Sequence, residues 1–185
     1  MNSVTRQSQK GFTLVEIAIV LVIVGLLLGG VLKGQELIAN AKIKQFTTEM
    51  EEVVAAAYAY QDRMGRFPGR LGQHIDIDMS AFWQDLEREG FISKSLAYYF
   101  SVLILPHSLN GFFIVLPSYA SFPVANFKNA LCASNLTESI AQAVDRKLDD
   151  GNPNTGDILA GKTVYATLTD YSSPESIVVL CKVFK

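Results

Sequence analysis

The stretch from Phe12 to Leu32 constrains this chain more than any other feature, because it is apolar almost throughout and contains a single acid, Glu16. Such a segment cannot be the one-sided helix of a soluble core, since it offers no polar face to water. At about 1.5 Å of rise per residue it is long enough to cross the roughly 30 Å of hydrocarbon in a bilayer. The preceding MNSVTRQSQK carries Arg6 and Lys10 and no acid, so this flank is expected to stay cytoplasmic and the rest of the chain to lie across the membrane. A secretory signal peptide has a shorter apolar core closed by a small-residue cleavage site. Here KGQELIANAKIKQF continues the helix instead.

Charge is distributed unevenly. The 185 residues have a formal net charge of -2. Arg6, Lys10 and Lys33 against Glu16 leave residues 1–33 basic and the remainder acidic. An acidic remainder without a basic run argues against nucleic acid as a partner, because binding phosphate backbones needs clustered Lys and Arg.

An ionised carboxylate inside an apolar span costs a few kcal/mol, about 2.5–3.5 on insertion scales, so Glu16 needs a partner or a place near the membrane edge. Its context is specific: Lys10-Gly11-Phe12-Thr13-Leu14-Val15-Glu16 resembles the cleavage and methylation signature of type IV prepilins. That resemblance implies cleavage between Gly11 and Phe12 by a prepilin peptidase, N-methylation of the new Phe12 amino group, and assembly through Glu16. It also implies an inner-membrane assembly platform and a homo- or hetero-polymer with other pilin subunits. The chain would then be a single-pass inner-membrane protein with a periplasmic C-terminus before assembly, and part of an extracellular pilus or periplasmic pseudopilus afterwards. A type II secretion or competence pseudopilin, or a minor tip pilin acting as an adhesin, fits the same signature. The physical chemistry agrees, since cleavage creates an ammonium on Phe12 one helical turn from Glu16.

Gly25, Gly29, Gly30 and Gly34 weaken helix propensity by about 1 kcal/mol each, which suggests local melting of this stretch. Beyond Lys33, Ile43, Phe46, Met50, Val53, Ala57, Tyr60 and Met64 recur at steps of three and four, the stripe of an amphipathic helix. One helix from Phe12 to about Asp62 is expected, stopped by Gly65-Arg66-Phe67-Pro68-Gly69. A short helix capped by Ser80 follows, with Trp83 as its core anchor. Strands are expected at Tyr98 to Leu105, Gly111 to Leu116, Val164 to Leu168 and Ile177 to Phe184. A helix from Leu136 to Leu148, capped by Asn135 with Glu138, presents the stripe Leu136, Ile140, Val144 and Leu148. The fold class is therefore α+β: a long N-terminal α-helix, half transmembrane and half amphipathic, on a small antiparallel β-sheet head. The expected divisions are a leader over 1–11, an assembly helix over 12–33, an amphipathic half over 34–64 and a head over 65–185.

Cys132 and Cys181 are an even pair in a segment expected to leave the cytoplasm, which reads as a disulfide, the alternative being two buried thiols. It would tie the C-terminal edge to the preceding loop and helix. No cofactor is expected. Calcium is the minority alternative for the oxygen-rich run through Asp149, Asp150 and Asp157, whose spacing is not that of an EF-hand, and a solvated turn is the better reading. His74 with Asp76 and Asp78 lacks a third ligand, and no nucleophile or phosphate-loop motif is present, so the chain is not expected to be an enzyme.

Overall fold

The computed structural model describes residues 11, 13–70, 77–93, 97–99, 102–116, 129–163, 166–167 and 170–184. The chain divides into two compact units, residues 1–41 and 42–185. Helix α1, Leu14–Met64, contributes to each. It is unbroken through Gly25 and Gly34, so these glycines do not melt it here. Within the first unit every large apolar side chain from Leu14 to Ile38 is exposed.

From Lys42 onward the same helix is one-sided. Phe46, Met50, Val53, Ala57 and Tyr60 are buried, and Ile43 and Met64 are half-buried beside them, along the stripe expected from the three-and-four spacing. Phe46 stacks on Phe113 of the sheet with ring centroids 5.6 Å apart. The helix ends at Gly65, whose φ of 69° lets its N–H turn back to the Gln61 carbonyl at 2.8 Å. Four residues on, Gly69 at φ 77° passes so close to Asp78, Ile77 and Phe82 that a Cβ would lie 2.8 Å from each. Only glycine fits there.

Helix α2, Met79–Arg88, starts two residues before the expected cap allows. Asp78 is the N-cap, its Oδ1 accepting from the Ala81 N–H at 2.7 Å, whereas the Ser80 hydroxyl accepts from Leu103 N–H in the sheet. Asp can cap as well as Ser, and here the tight turn at Gly69 places Asp78 first. Trp83 is fully buried as a core anchor, and its Nε1 has no hydrogen-bond partner among the described residues.

Among the described residues, seven antiparallel strands form one sheet in the order β1-β2-β3-β4-β7-β5-β6. They are β1 Ala97–Tyr99, β2 Val102–Pro106, β3 Phe112–Leu116, β4 Ala130–Thr137, β5 Ile158–Thr163, β6 Ala166–Thr167 and β7 Ile177–Val183. The single strand expected over Tyr98 to Leu105 is thus two, paired as a hairpin with Tyr99 opposite Val102. Strands β4 and β5 were not expected, and both are immediate neighbours of β7. In β4 the register shifts between Ala133 and Leu136, and Asn135 sits at φ 59°. Asn135, expected as the cap of the following helix, instead lies in a bulge of a central strand. Leu136 therefore belongs to β4, and helix α3, Glu138–Leu148, is capped by Thr137.

The buried face of α3 is also rotated from the expected stripe: Glu138, Ala141, Val144 and Asp145 are buried, while Ile140 and Leu148 are half-buried. Glu138 is no capping partner of Asn135. Its carboxylate accepts from Ser172 N–H, Ser173 N–H and the Ser176 hydroxyl at 2.9, 3.0 and 2.7 Å.

A second buried acid organises the exit from α1. Asp85 Oδ2 accepts from Arg66 Nη1 at 2.9 Å and from the Gly69 N–H at 3.0 Å, joining α2 to the turn. Burial pushes this carboxyl up, but the hydrogen bonds from Arg66 and Gly69 outweigh it and hold the folded value below the ordinary range. The contribution is thus complete above the unfolded carboxylate range and is lost as pH falls through the depressed folded value. Asp85→Ala leaves the Gly69 N–H unpaired and should cost about 1–3 kcal/mol. Denaturant unfolding of the full chain in detergent micelles, followed through Trp83 fluorescence, checks this. The variant should also show a flatter acid limb in its stability-pH curve, and an unchanged acid limb would refute the assignment.

Candidate functional site

Helix α1 begins with a reciprocal cap. Thr13 N–H and Thr13 Oγ1 both donate to Glu16 Oε2, at 2.9 and 2.8 Å, and Glu16 N–H donates back to Thr13 Oγ1 at 3.3 Å. This is the Thr-x-x-Glu capping box, which satisfies donors that the first turn of a helix leaves without partners. The acid that most disturbs the apolar run therefore has a local partner on its own chain. Gly11 is exposed, and a Cβ on it would meet nothing within 4 Å. Phe12 and the leader residues 1–10 lie outside the described residues.

What surrounds the cap is apolar. The helix has an 18-residue window with mean hydropathy 2.8, none of it buried, which is long and apolar enough to cross a membrane. A continuous exposed surface of this kind needs lipid or other helices to cover it. In chemical terms the segment offers one carboxylate, held at the helix start, on an otherwise uncharged apolar cylinder.

The expected residues of the head fall in two places. Cys132 and Cys181 form a disulfide, with Cα atoms 3.9 Å apart. They are direct partners in the β4–β7 register and fully buried. The bridge thus joins two central strands, where the expectation was a tie from the C-terminal edge to a loop and helix. Sequence could not show this, because β7 is last in the chain but interior in the sheet.

Asp149 and Asp150 come together with Asp145, which the sequence reading did not single out, with one ligand atom of each within 4.8 Å of the others. Their oxygens are engaged by the loop itself. Asp145 accepts from Gly151 N–H at 3.1 Å and from the Tyr171 hydroxyl at 2.9 Å. Asp149 Oδ2 accepts from the N–H groups of Asp157 and Ile158. Asp150 accepts from Asn152 N–H and the Thr155 hydroxyl. Asp157 contributes its backbone N–H to this set. Burial pushes the Asp145 carboxyl up, and burial beside that carboxyl pushes the Tyr171 hydroxyl up as well. The signal for Asp145 lay in its helical spacing: Glu138, Ala141 and Asp145 recur at steps of three and four, which places both acids on the same face as a small apolar residue.

The remaining candidates act structurally or fall elsewhere. His107 Nδ1 accepts from Leu109 N–H, so Nε2 carries the proton and donates to the Ser134 carbonyl at 3.0 Å, pinning the β2–β3 turn. Asp78 is the cap of α2, and His74 and Asp76 lie outside the described residues.

Residues 6–32 match the family described as a prokaryotic N-terminal methylation motif. The chain thus carries a prokaryotic N-terminal methylation motif over the start of its apolar helix. No curated protein matches the chain. Among solved structures it is similar to the major type IV pilin PilA1 from Clostridium difficile, with 15% identity, a TM-score of 0.46, and coverage of 79% of this chain and 96% of that one. It is likewise similar to a type IV b pilin from Salmonella typhi, with 15% identity, a TM-score of 0.45, and coverage of 75% and 98%. Likenesses of that size carry no weight.

In the acidic loop, protein donors already engage the carboxylates of Asp145, Asp149 and Asp150. Adding calcium should leave the melting temperature of the full chain unchanged. A calcium-dependent rise that Asp150→Asn removes would overturn this account of the loop.

Proposed function

We propose that the chain is a structural subunit of a type IV pilus-like filament. In this reading residues 1–11 are a leader removed by a prepilin peptidase, Phe12 becomes the methylated N-terminus, and residues 12–33 hold the subunit in the inner membrane. Residues 34–64 then form the amphipathic half of the helix, and 65–185 the head, on the periplasmic side. Function comes from assembly, with no catalytic step assigned to the chain.

The observation that carries the reading is the methylation motif over residues 6–32, with Glu16 at the start of an apolar helix that nothing among the described residues covers. Cleavage after Gly11 adds an ammonium at Phe12, and methylation leaves it cationic. In a bundle of such helices this ammonium and Glu16 of a neighbouring copy neutralise each other. Removing one partner strands the other charge in an apolar bundle, which typically costs about 3–5 kcal/mol.

Intact mass and N-terminal sequencing of the chain, from hosts with and without a prepilin peptidase, test the processing. A mature chain starting at methylated Phe12 only in the peptidase-bearing host is expected. Glu16→Ala should be processed but incorporated poorly into filaments. A chain still starting at Met1 in the peptidase-bearing host would sink the proposal.

A further inference from the structure

Strand β7 is last in the chain yet lies between β4 and β5, antiparallel to both. On one side Val183 to Leu180 pair with Ala130 to Ala133, and on the other Lys182 to Val179 pair with Ile158 to Gly161. Until Ile177–Val183 arrives, β4 and β5 each present an unpaired edge across a gap one strand wide. An unpaired edge accepts any strand with the right pattern, whichever chain supplies it.

The pattern that fills this slot is specific. Val178 and Leu180 are buried in the main core, Cys181 is buried on the opposite face, and Phe184 packs edge-on to Phe67 with ring centroids 5.0 Å apart. The segment leading into β7 is polar and mostly exposed, and it is anchored through Tyr171 and the serines to the carboxylates of Asp145 and Glu138. Nearly all of these contacts join α3, β4 or β5 to residues 171–184. A second copy donating its own residues 171–184 reproduces every one of them, which is the condition for strand exchange. The covalent contact in the slot is the Cys132–Cys181 bridge, and once closed it fixes the strand that occupies the slot.

We propose that this disulfide is a lock on strand identity: it keeps β7 in its own chain, and without it a second copy of this chain donates Ile177–Phe184 into the same slot, giving a strand-exchanged dimer. Closing the lock oxidises two thiols to one S–S bond, with two protons and two electrons passing to a disulfide-bearing oxidant such as oxidised glutathione. The inference rests on the topology of the head and stands independently of the filament reading.

The test mixes full-length Cys132→Ala and Cys181→Ala chains in detergent micelles, unfolds and refolds them together, and oxidises them with glutathione disulfide. A disulfide-linked dimer, absent from either variant alone and mapped by mass spectrometry to Cys132 of one chain and Cys181 of the other, is expected. A control chain carrying Cys132→Ala, Cys181→Ala and Lys182→Cys places its thiol on the opposite face of the strand and should give no dimer with the Cys181→Ala chain. Folded variants that stay monomeric, or a control that cross-links equally, would overturn the proposal. If the variants fail to fold, the wild-type chain answers the same question. Isotopically light and heavy chains are refolded together and oxidised, and light-heavy Cys132–Cys181 peptides that rise with protein concentration are expected. Light-light and heavy-heavy pairs alone at every concentration would refute it.

Discussion

One continuous helix with two incompatible surfaces sets the terms for everything else in this protein. From Leu14 to Ile38 α1 offers apolar side chains on every face, and from Lys42 to Met64 it offers a single apolar stripe. The second half can be satisfied by one sheet packed against one side, which is what β2, β3, β4 and β7 supply around Phe46, Met50, Val53 and Tyr60. The first half cannot be satisfied by any single-sided partner, so its cover must surround it. Lipid and a bundle of like helices are the two environments that do so, and on the proposed function the subunit would move from one to the other.

Within the head, buried acids hold the irregular segments that the sheet cannot. Asp85 fixes the turn after α1, Glu138 fixes the approach to β7 at its serines, and Asp145 fixes that approach at Tyr171. Each carboxylate accepts more than one hydrogen bond from backbone N–H or side-chain donors, which offsets the cost of removing charge from water. Glu138 and Asp145 lie two helical turns apart on one face of α3, so one short helix clamps the strand connection at two points.

The elements that follow simple periodicity were legible in the sequence. Phe46, Met50, Val53, Ala57 and Tyr60 repeat at helical spacing and are buried accordingly. The Gly65 stop reads correctly because a left-handed C′ residue and a following proline have no other common use. The cysteine pair was legible as a bridge but not as a central one. Strand β4 was hidden because Ser134 and Asn135 interrupt its alternation at a bulge, and local chemistry cannot tell a bulge from a cap. Strand β5 was hidden because it follows directly on an oxygen-rich run with the chemistry of a loop, while Ile158 to Ala160 are buried on both faces and show no alternation. Glu138 read as a capping partner of Asn135, and the burial of Glu138 and Asp145 was hidden because burial of a charge depends on donors from residues distant in sequence.

The capping box at Thr13 bears on how a single carboxylate can serve a subunit in two states. In the isolated chain Glu16 is satisfied by Thr13 and by its own helix terminus, so it needs no partner from another copy. Hydrogen bonds from a threonine are neutral-to-charged contacts, whereas an ammonium offers a full opposite charge whose attraction grows as the surroundings lose water. In an exposed or interfacial setting the difference is small, and the local cap suffices. On the proposed function, the same difference becomes large inside a packed bundle of apolar helices, and an intermolecular pair would displace the cap. The order of strengths would then follow the polarity of the surroundings, and assembly itself, rather than any change in the residues, would decide which partner Glu16 keeps.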